Sequence, residues 1–323
     1  MKAVILDGYS VNPGDLSWKS LENIVDLEIY DRTAPEEIRA RVSDADIILT
    51  NKVVLEKDLL DSLPRLKYIG VLATGYNVVD IRSAETAGIE VTNIPAYSTE
   101  SVAQMVFSHI LAITSRVEHY TSENRKGRWT ASPDFVYWDK PFQELCGKTL
   151  GIVGYGNIGK AVSRIALAFG MNVLAYTSKN PEDLPEGVTK TDMDGLFSSS
   201  DIISLHCPLA ENTFHLVNSD RLALMKKTAV LINTGRGPLV DETALASALE
   251  NGDICAAGLD VLSQEPPAAD NPLLSARNCF ITPHLGWATV EARKRLIDIA
   301  VDNIKSFMAG NTKNLVTQKN KQQ

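Results

Sequence analysis

The sequence predicts an α/β protein of two doubly wound parallel-sheet domains, a Rossmann domain and a smaller flavodoxin-like domain. Three observations carry the prediction. Short apolar runs alternate with amphipathic stretches along the whole chain, as βαβ units require. At 323 residues the chain exceeds a comfortable single core, so two domains are expected. A glycine-rich turn near the middle, Gly154-Tyr155-Gly156-Asn157-Ile158-Gly159, directly follows an apolar run and opens a second series of such units.

The N-terminal MKAVILDGYS resembles a signal peptide in its charge and apolar run. That run breaks at Asp7 after four apolar residues, so it reads as a first strand. Strands are expected at Val4–Leu6, Leu27–Tyr30, Ile47–Thr50, Tyr68–Leu72 and Ile89–Asn93, with helical patterns at Pro35–Val42 and Glu56–Leu63 between them. A longer helix follows at Ser101–Arg116. From Glu123 to Glu144 the chain is polar and aromatic, with Trp129, Pro133, Phe135, Tyr137, Trp138 and Pro141, and reads as a loop or arm that packs on something else. The second series runs through strands Thr149–Val153, Asn172–Tyr176, Asp201–His206, Ala229–Asn233, Ala256–Val261 and Cys279–Pro283. Helices are expected at Asn157–Phe169 and Asp241–Glu250, and Thr289–Met308 reads as one long closing helix with no regulatory domain after it.

A net charge of −8 argues against a nucleic-acid surface, and Lys313, Lys319 and Lys321 read as a solvated tail. No apolar run approaches the ~20 residues that span a bilayer. Cys146, Cys207, Cys255 and Cys279 are far apart and form no CxxC pair. A metal site and a disulfide framework are therefore unsupported, and a reducing cytoplasm is expected.

In the glycine motif, Gly154 permits the tight turn, Gly156 lets backbone approach a pyrophosphate, and Gly159 lets helix and strand pack closely. The helix N-terminus supplies N–H groups and a positive dipole end for the phosphates. An NAD-specific site would place an acid about 20 residues on, to bind the ribose 2′-hydroxyl. The chain instead reads Thr177-Ser178-Lys179 there, which leans to NADP without excluding NAD.

Three more strand ends carry chemistry. Arg236 lies between glycines in Asn233-Thr234-Gly235-Arg236-Gly237, Asp260 and Glu265 follow the next strand, and His284 follows the last. Ligands bind at such strand ends in open α/β sheets. Beside a nicotinamide this set suits carbonyl reduction, because hydride addition builds negative charge on an oxygen that an imidazolium can neutralise. Glu265 would orient the ring and raise its pKa, each unit being ~1.4 kcal/mol in favour of the charged form. Arg236 offers a planar, permanently charged fork for a carboxylate and a polarised carbonyl. Asn51 and Lys52 end the third strand, either as substrate ligands or as an exposed strand-end pair. His109, His119 and His215 read as structural.

Together GYGNIG, SLHCPLAENT, NTGRG, GLDV…EPP, PHLGWAT and, in the first domain, ATGYNVVD resemble the D-isomer-specific 2-hydroxyacid dehydrogenase family, in its glycerate dehydrogenase or hydroxypyruvate reductase branch. Gly286-Trp287 pulls toward that branch. The resemblance covers nearly the whole chain and implies that Arg236 binds substrate, His284 is the acid and base, and Glu265 is its partner. It implies that Asp260 holds the nicotinamide amide and that backbone at Ala73-Thr74-Gly75 cradles the substrate carboxylate. His206, Cys207, Pro208, Thr213, Thr234, Gly235 and Gly286 would line the cofactor site, with Val102 at the nicotinamide. It further implies a closing helix that crosses back, giving a substrate domain of 1–98 plus 290–323 around a cofactor domain of 99–289, and a homodimer. The expected reaction is NAD(P)-dependent reduction of hydroxypyruvate to D-glycerate, or glyoxylate to glycolate. Pyruvate, 3-phosphohydroxypyruvate and a nucleotide-sensing, corepressor-like binding protein are the alternatives.

Overall fold

A computed structural model describes residues 1–139 and 142–318. Pro141, Lys319 and Lys321 lie outside the described residues. The chain divides into two compact units, Met1–Ser98 with the described part of Ala288–Gln323, and Thr99–Trp287.

The first unit holds a parallel five-stranded sheet of β1 (Lys2–Ile5), β2 (Asp26–Ile29), β3 (Ile47–Thr50), β4 (Tyr68–Val71) and β5 (Glu90–Thr92), in the order β2-β1-β3-β4-β5. That is the flavodoxin-like order. β3 and β4 are buried at every position, which is why they read as unbroken apolar runs rather than alternating ones. The closing helix, Val290–Met308, belongs to this unit, capped by Thr289 Oγ1 accepting from the Ala292 amide at 3.2 Å. Arg293, 6 % exposed, forks onto both oxygens of Asp15 at 2.7 and 2.6 Å, and that guanidinium holds the Asp15 carboxyl below the usual range. Buried Asn303 donates to Asn93 O at 3.0 Å. Beyond the helix, Leu315 bridges Thr92 and Val316 packs on the core.

The second unit holds a parallel seven-stranded sheet in the order β12-β11-β10-β9-β6-β7-β8. Its strands are β6 (Thr149–Val153), β7 (Asn172–Tyr176), β8 (Val188–Lys190), β9 (Ile202–Leu205), β10 (Val230–Asn233), β11 (Ala256–Leu259) and β12 (Cys279–Ile281). The strand order reverses between β6 and β9, the switch point at which doubly wound sheets open for ligands. β8 is absent from the sequence reading. It is a three-residue edge strand with two exposed positions, too short for a periodic signal. The helix Thr99–Ser115 ends where Arg116 adopts φ +52°, and a further helix, Val117–Arg125, takes up the start of the aromatic segment. Among the described residues no helix is long and apolar enough to cross a membrane.

Candidate active site

Several helices among the described residues open on a side-chain cap. Asp80, Asp192, Asn218 and Asp241 each accept from a backbone amide in the first turn that follows. The helix after β6, Asn157–Ala168, is different. Its N-cap is Gly156, with no side-chain cap, so its first amides stay available to an anion.

The three glycines of this turn have distinct reasons. Gly154 has φ +96°, and a Cβ there would lie 2.6 Å from Cys207 N. A Cβ on Gly159 would meet Gly154 O at 2.3 Å. A Cβ on Gly156 would meet nothing within 4 Å, so that position needs glycine only if something external approaches it. A dinucleotide pyrophosphate fits that requirement. Thr234 Oγ1, buried with no hydrogen-bond partner among the described residues, is a second group suited to an outside ligand. Tyr155 instead turns inward, its hydroxyl 2.7 Å from Ser163 Oγ, so only its backbone is available to a ligand. Ile158 packs partly into the core, while Asn157 is exposed.

At the end of β7, Thr177 Oγ1 accepts from the Lys179 amide at 3.2 Å. Ser178 is exposed. The edge strand adds a residue that the sequence reading missed. Lys190, in register with Ala175, donates from Nζ to Lys179 O at 2.6 Å and brings a second ammonium to this turn.

Past β9, His206 Nε2 lies 2.9 Å from Ser204 Oγ, and burial pushes the imidazole down to about 3. Burial likewise raises the Cys207 thiol. Thr213 spends its hydroxyl on the turn, donating to Pro208 O at 2.8 Å and accepting from the Ala210 amide at 2.7 Å. It therefore shapes the turn rather than offering a free group.

Arg236 follows β10 on a turn organised by Asn233, 1 % exposed. Asn233 Oδ1 accepts from the Gly235 amide at 3.0 Å, and its Nδ2 donates to Arg236 O at 2.9 Å. The Arg236 side chain is exposed, with Nη1 donating to Gly235 O at 2.8 Å. A Cβ on Gly237 would sit 1.9 Å from the Leu262 carbonyl carbon, so this turn packs directly on the chain after β11. There the Leu262 amide donates to Glu265 Oε1 at 3.1 Å. Gly237 and Leu262 thus place the arginine turn and the glutamate turn back to back.

His284 stands on the turn after β12 with φ +54°, an uncommon conformation for a side-chain-bearing residue. Its Nδ1 is 2.6 Å from Glu265 Oε2, which leaves Nε2 for proton transfer. Asp260 holds the turn from behind. Its Oδ1 accepts from Thr282 Oγ1 at 2.6 Å and the Leu285 amide at 2.8 Å, and its Oδ2 accepts from the Gly286 amide at 2.7 Å. A Cβ on Gly286 would meet Asp260 Oδ2 at 2.8 Å, with buried Val102 beside it. Thr282 and Asn233, which shape these turns, escaped the sequence reading. Their roles depend on tertiary neighbours rather than on any local pattern.

In the first unit, Ala73 O accepts from the Ile94 amide at 2.9 Å and Thr74 Oγ1 donates to Ile94 O at 2.8 Å. Among the described residues nothing accepts from the Thr74 or Gly75 amide. Asn51 is 3 % exposed, and its Nδ2 donates to Leu72 O at 2.6 Å. The amides of Asn51 and Lys52 both donate to Asp7, so these residues build the strand end, with the Lys52 side chain exposed.

Comparison with known proteins gives the family to which the chain is related. Residues 107–286 match the family model described as D-isomer specific 2-hydroxyacid dehydrogenase, NAD binding domain. The chain is 48% identical to hydroxypyruvate reductase of Blautia hydrogenotrophica over 322 residues, covering 98% of this chain and 100% of that one. It is 40% identical to glycerate dehydrogenase of Methylorubrum extorquens, covering 98% of each. Among solved structures it is similar to an NADPH-dependent glyoxylate/hydroxypyruvate reductase of Sinorhizobium meliloti in complex with NADP and malonate. That match has a TM-score of 0.82 and 31% identity, and covers 98% of this chain and 96% of the other.

Proposed function

The chain belongs to the D-isomer-specific 2-hydroxyacid dehydrogenases, enzymes that interconvert 2-keto and D-2-hydroxy acids with NAD(P), and from that premise we propose that it reduces hydroxypyruvate to D-glycerate, with glyoxylate as a second substrate. The observation that carries the reading is the 2.6 Å contact of His284 Nδ1 with Glu265 Oε2, on a turn packed against that of Arg236 through Gly237 and Leu262. The 48% identical relative named for hydroxypyruvate supports the substrate.

A reduced nicotinamide, when bound, supplies the hydride. The groups of the chain do the rest. Arg236 binds the substrate carboxylate and polarises the keto oxygen through its guanidinium fork. His284 gives a proton from Nε2 to that oxygen, and in the reverse direction takes it back. Glu265 Oε2 keeps the proton on Nδ1 and fixes the ring plane. Asp260 Oδ2, with one donor in place, retains acceptor capacity for a nicotinamide carboxamide. The Ala73–Gly75 backbone is the proposed holder of the substrate carboxylate, and Asn51 keeps a structural role.

NADPH is the proposed preference. Lys179, Lys190, Thr177 and Ser178 offer two cations and two hydroxyls to a 2′-phosphate, and residues 177–181, directly after β7, include no carboxylate to repel it. A homodimer is proposed from the arm, where Phe135 is 91 % and Trp138 63 % exposed, more apolar surface than a monomer usually leaves in water. The cytoplasm is the proposed compartment, since all four cysteines are free thiols.

The test is a panel of hydroxypyruvate, glyoxylate and pyruvate, each with NADPH and NADH. The fastest oxidation is expected with hydroxypyruvate and NADPH. No turnover with any of the three sinks the substrate reading, and a preference for pyruvate reassigns it.

A further inference from the structure

The helix Thr99–Ser115 runs behind the strand ends that carry the site, and one face of it grips the His284 turn. Ser101, Met105 and His109 recur at helical spacing along that face. Ser101 Oγ donates to Gly286 O at 2.6 Å, and the Met105 Cβ is 3.6 Å from where a Gly286 Cβ would be. His109, 4 % exposed, places Nε2 at 3.0 Å from Thr282 Oγ1. The buried imidazole has been given room. A Cβ on Gly258 of β11 would lie 2.8 Å from His109 Cβ.

We propose that His109 is a positioning residue for this reaction, acting through Thr282 and Asp260 to set the turn that carries His284. The directions of the hydrogen bonds support it. The amides of Leu285 and Gly286 can only donate, so the Asp260 carboxylate accepts at both oxygens. Thr282 gives its one hydrogen to Asp260 Oδ1 at 2.6 Å, so its oxygen is free to accept from His109 Nε2–H at 3.0 Å. Each member of the chain is thereby assigned a donor or acceptor role, ending on the backbone amides of the two residues that follow His284. An imidazole between helix and sheet costs desolvation that a Leu would not, and this hydrogen bond offsets it. Burial also lowers the His109 pKa, with Asp260 opposing, and so favours the uncharged ring, whose Nε2–H tautomer makes this bond.

The inference rests on the reading of His284 as acid and base, and the test separates the two. Hydroxypyruvate reduction is measured for the wild type and for His109→Leu, His109→Asn, His109→Gln and Thr282→Val, with NADPH affinity taken from fluorescence titration. Misplacing the acid should lower kcat about tenfold in His109→Leu and His109→Asn, while KM and the NADPH Kd stay within about twofold. Gln, whose amide nitrogen can stand in for Nε2–H, should regain most of the rate. Thr282→Val should lose as much as His109→Leu, and the double variant should lose no more than the worse single. Rates within about twofold of wild type for His109→Leu, equal rates for Asn and Gln, or losses that multiply would each overturn the proposal. Should the Leu variant fail to fold, the comparison of Asn with Gln decides. A wild type without turnover overturns the parent reading instead.

Discussion

At the scale of single residues, His284 is held by three contacts of different kinds. Glu265 holds its ring, Asp260 O accepts its amide at 2.8 Å, and the Asp260 carboxylate holds the two residues after it. Replacing His284 with Ala should therefore remove the proton donor while leaving the turn in place. We expect kcat to fall about a thousandfold with NADPH binding retained, as stopped-flow and fluorescence titration would show. Near-normal rates would take His284 out of its role. His206 gives a prediction about pH. Burial lowers its pKa from 6.5 to about 3, so below 6.5 the unfolded chain takes a proton that the folded chain refuses. Stability should fall as pH drops through that window, and His206→Gln should flatten the fall in Tm between pH 6.5 and about 4. An unchanged slope would assign the acid sensitivity to other groups. Arg236, Glu265 and His284 were legible in the sequence because each follows a strand in a recognisable motif. His109 was not, since a lone histidine on an apolar helix face looks the same whether it holds a catalytic turn or fills space.

Elements were legible in proportion to how much they bury. β3, β6 and β7 fall where the apolar runs predict them, and the glycine turn and closing helix lie where their motifs place them. Short elements with little buried surface were not foreseen, among them β8 and the helix Val117–Arg125 with no buried residue. β8 shows that such an element can still matter, since it is what carries Lys190 to the Lys179 turn. The packing of turns on turns was equally hidden. Gly235 and Gly237 look alike in sequence, yet a Cβ on Gly235 would only graze Leu239 at 3.4 Å, whereas one on Gly237 would strike the Leu262 backbone at 1.9 Å. We expect Gly237→Ala to cost about 3 kcal/mol and to lower activity by separating the Arg236 and Glu265 turns. Gly235→Ala should be far milder. Chemical denaturation of the two variants would check the contrast, and equal stabilities would refute it.

At the scale of the whole molecule, the alternation of strands and helices announced two domains, but no periodicity announced that the first is interrupted. Only the family resemblance implied it. The physical ties are specific: Arg293 on Asp15, Asn303 on Asn93, Leu315 bridging Thr92 and Val316 in the core. They carry a consequence for the order of events at the ribosome. Residues 1–98 emerge before the Thr99–Trp287 unit, yet the helix that belongs with them is made after it. The Thr99–Trp287 unit, contiguous in the chain, can complete itself while its predecessor still waits. Nascent chains stalled with residue 288 just outside the exit tunnel should resist protease within 99–287 and remain cleavable within 1–98. Protection of both at that length would contradict it. On that expectation a completed 99–287 unit stays joined to an incomplete first unit until the closing helix follows, so the first unit's fold is sealed by a segment made after its neighbour.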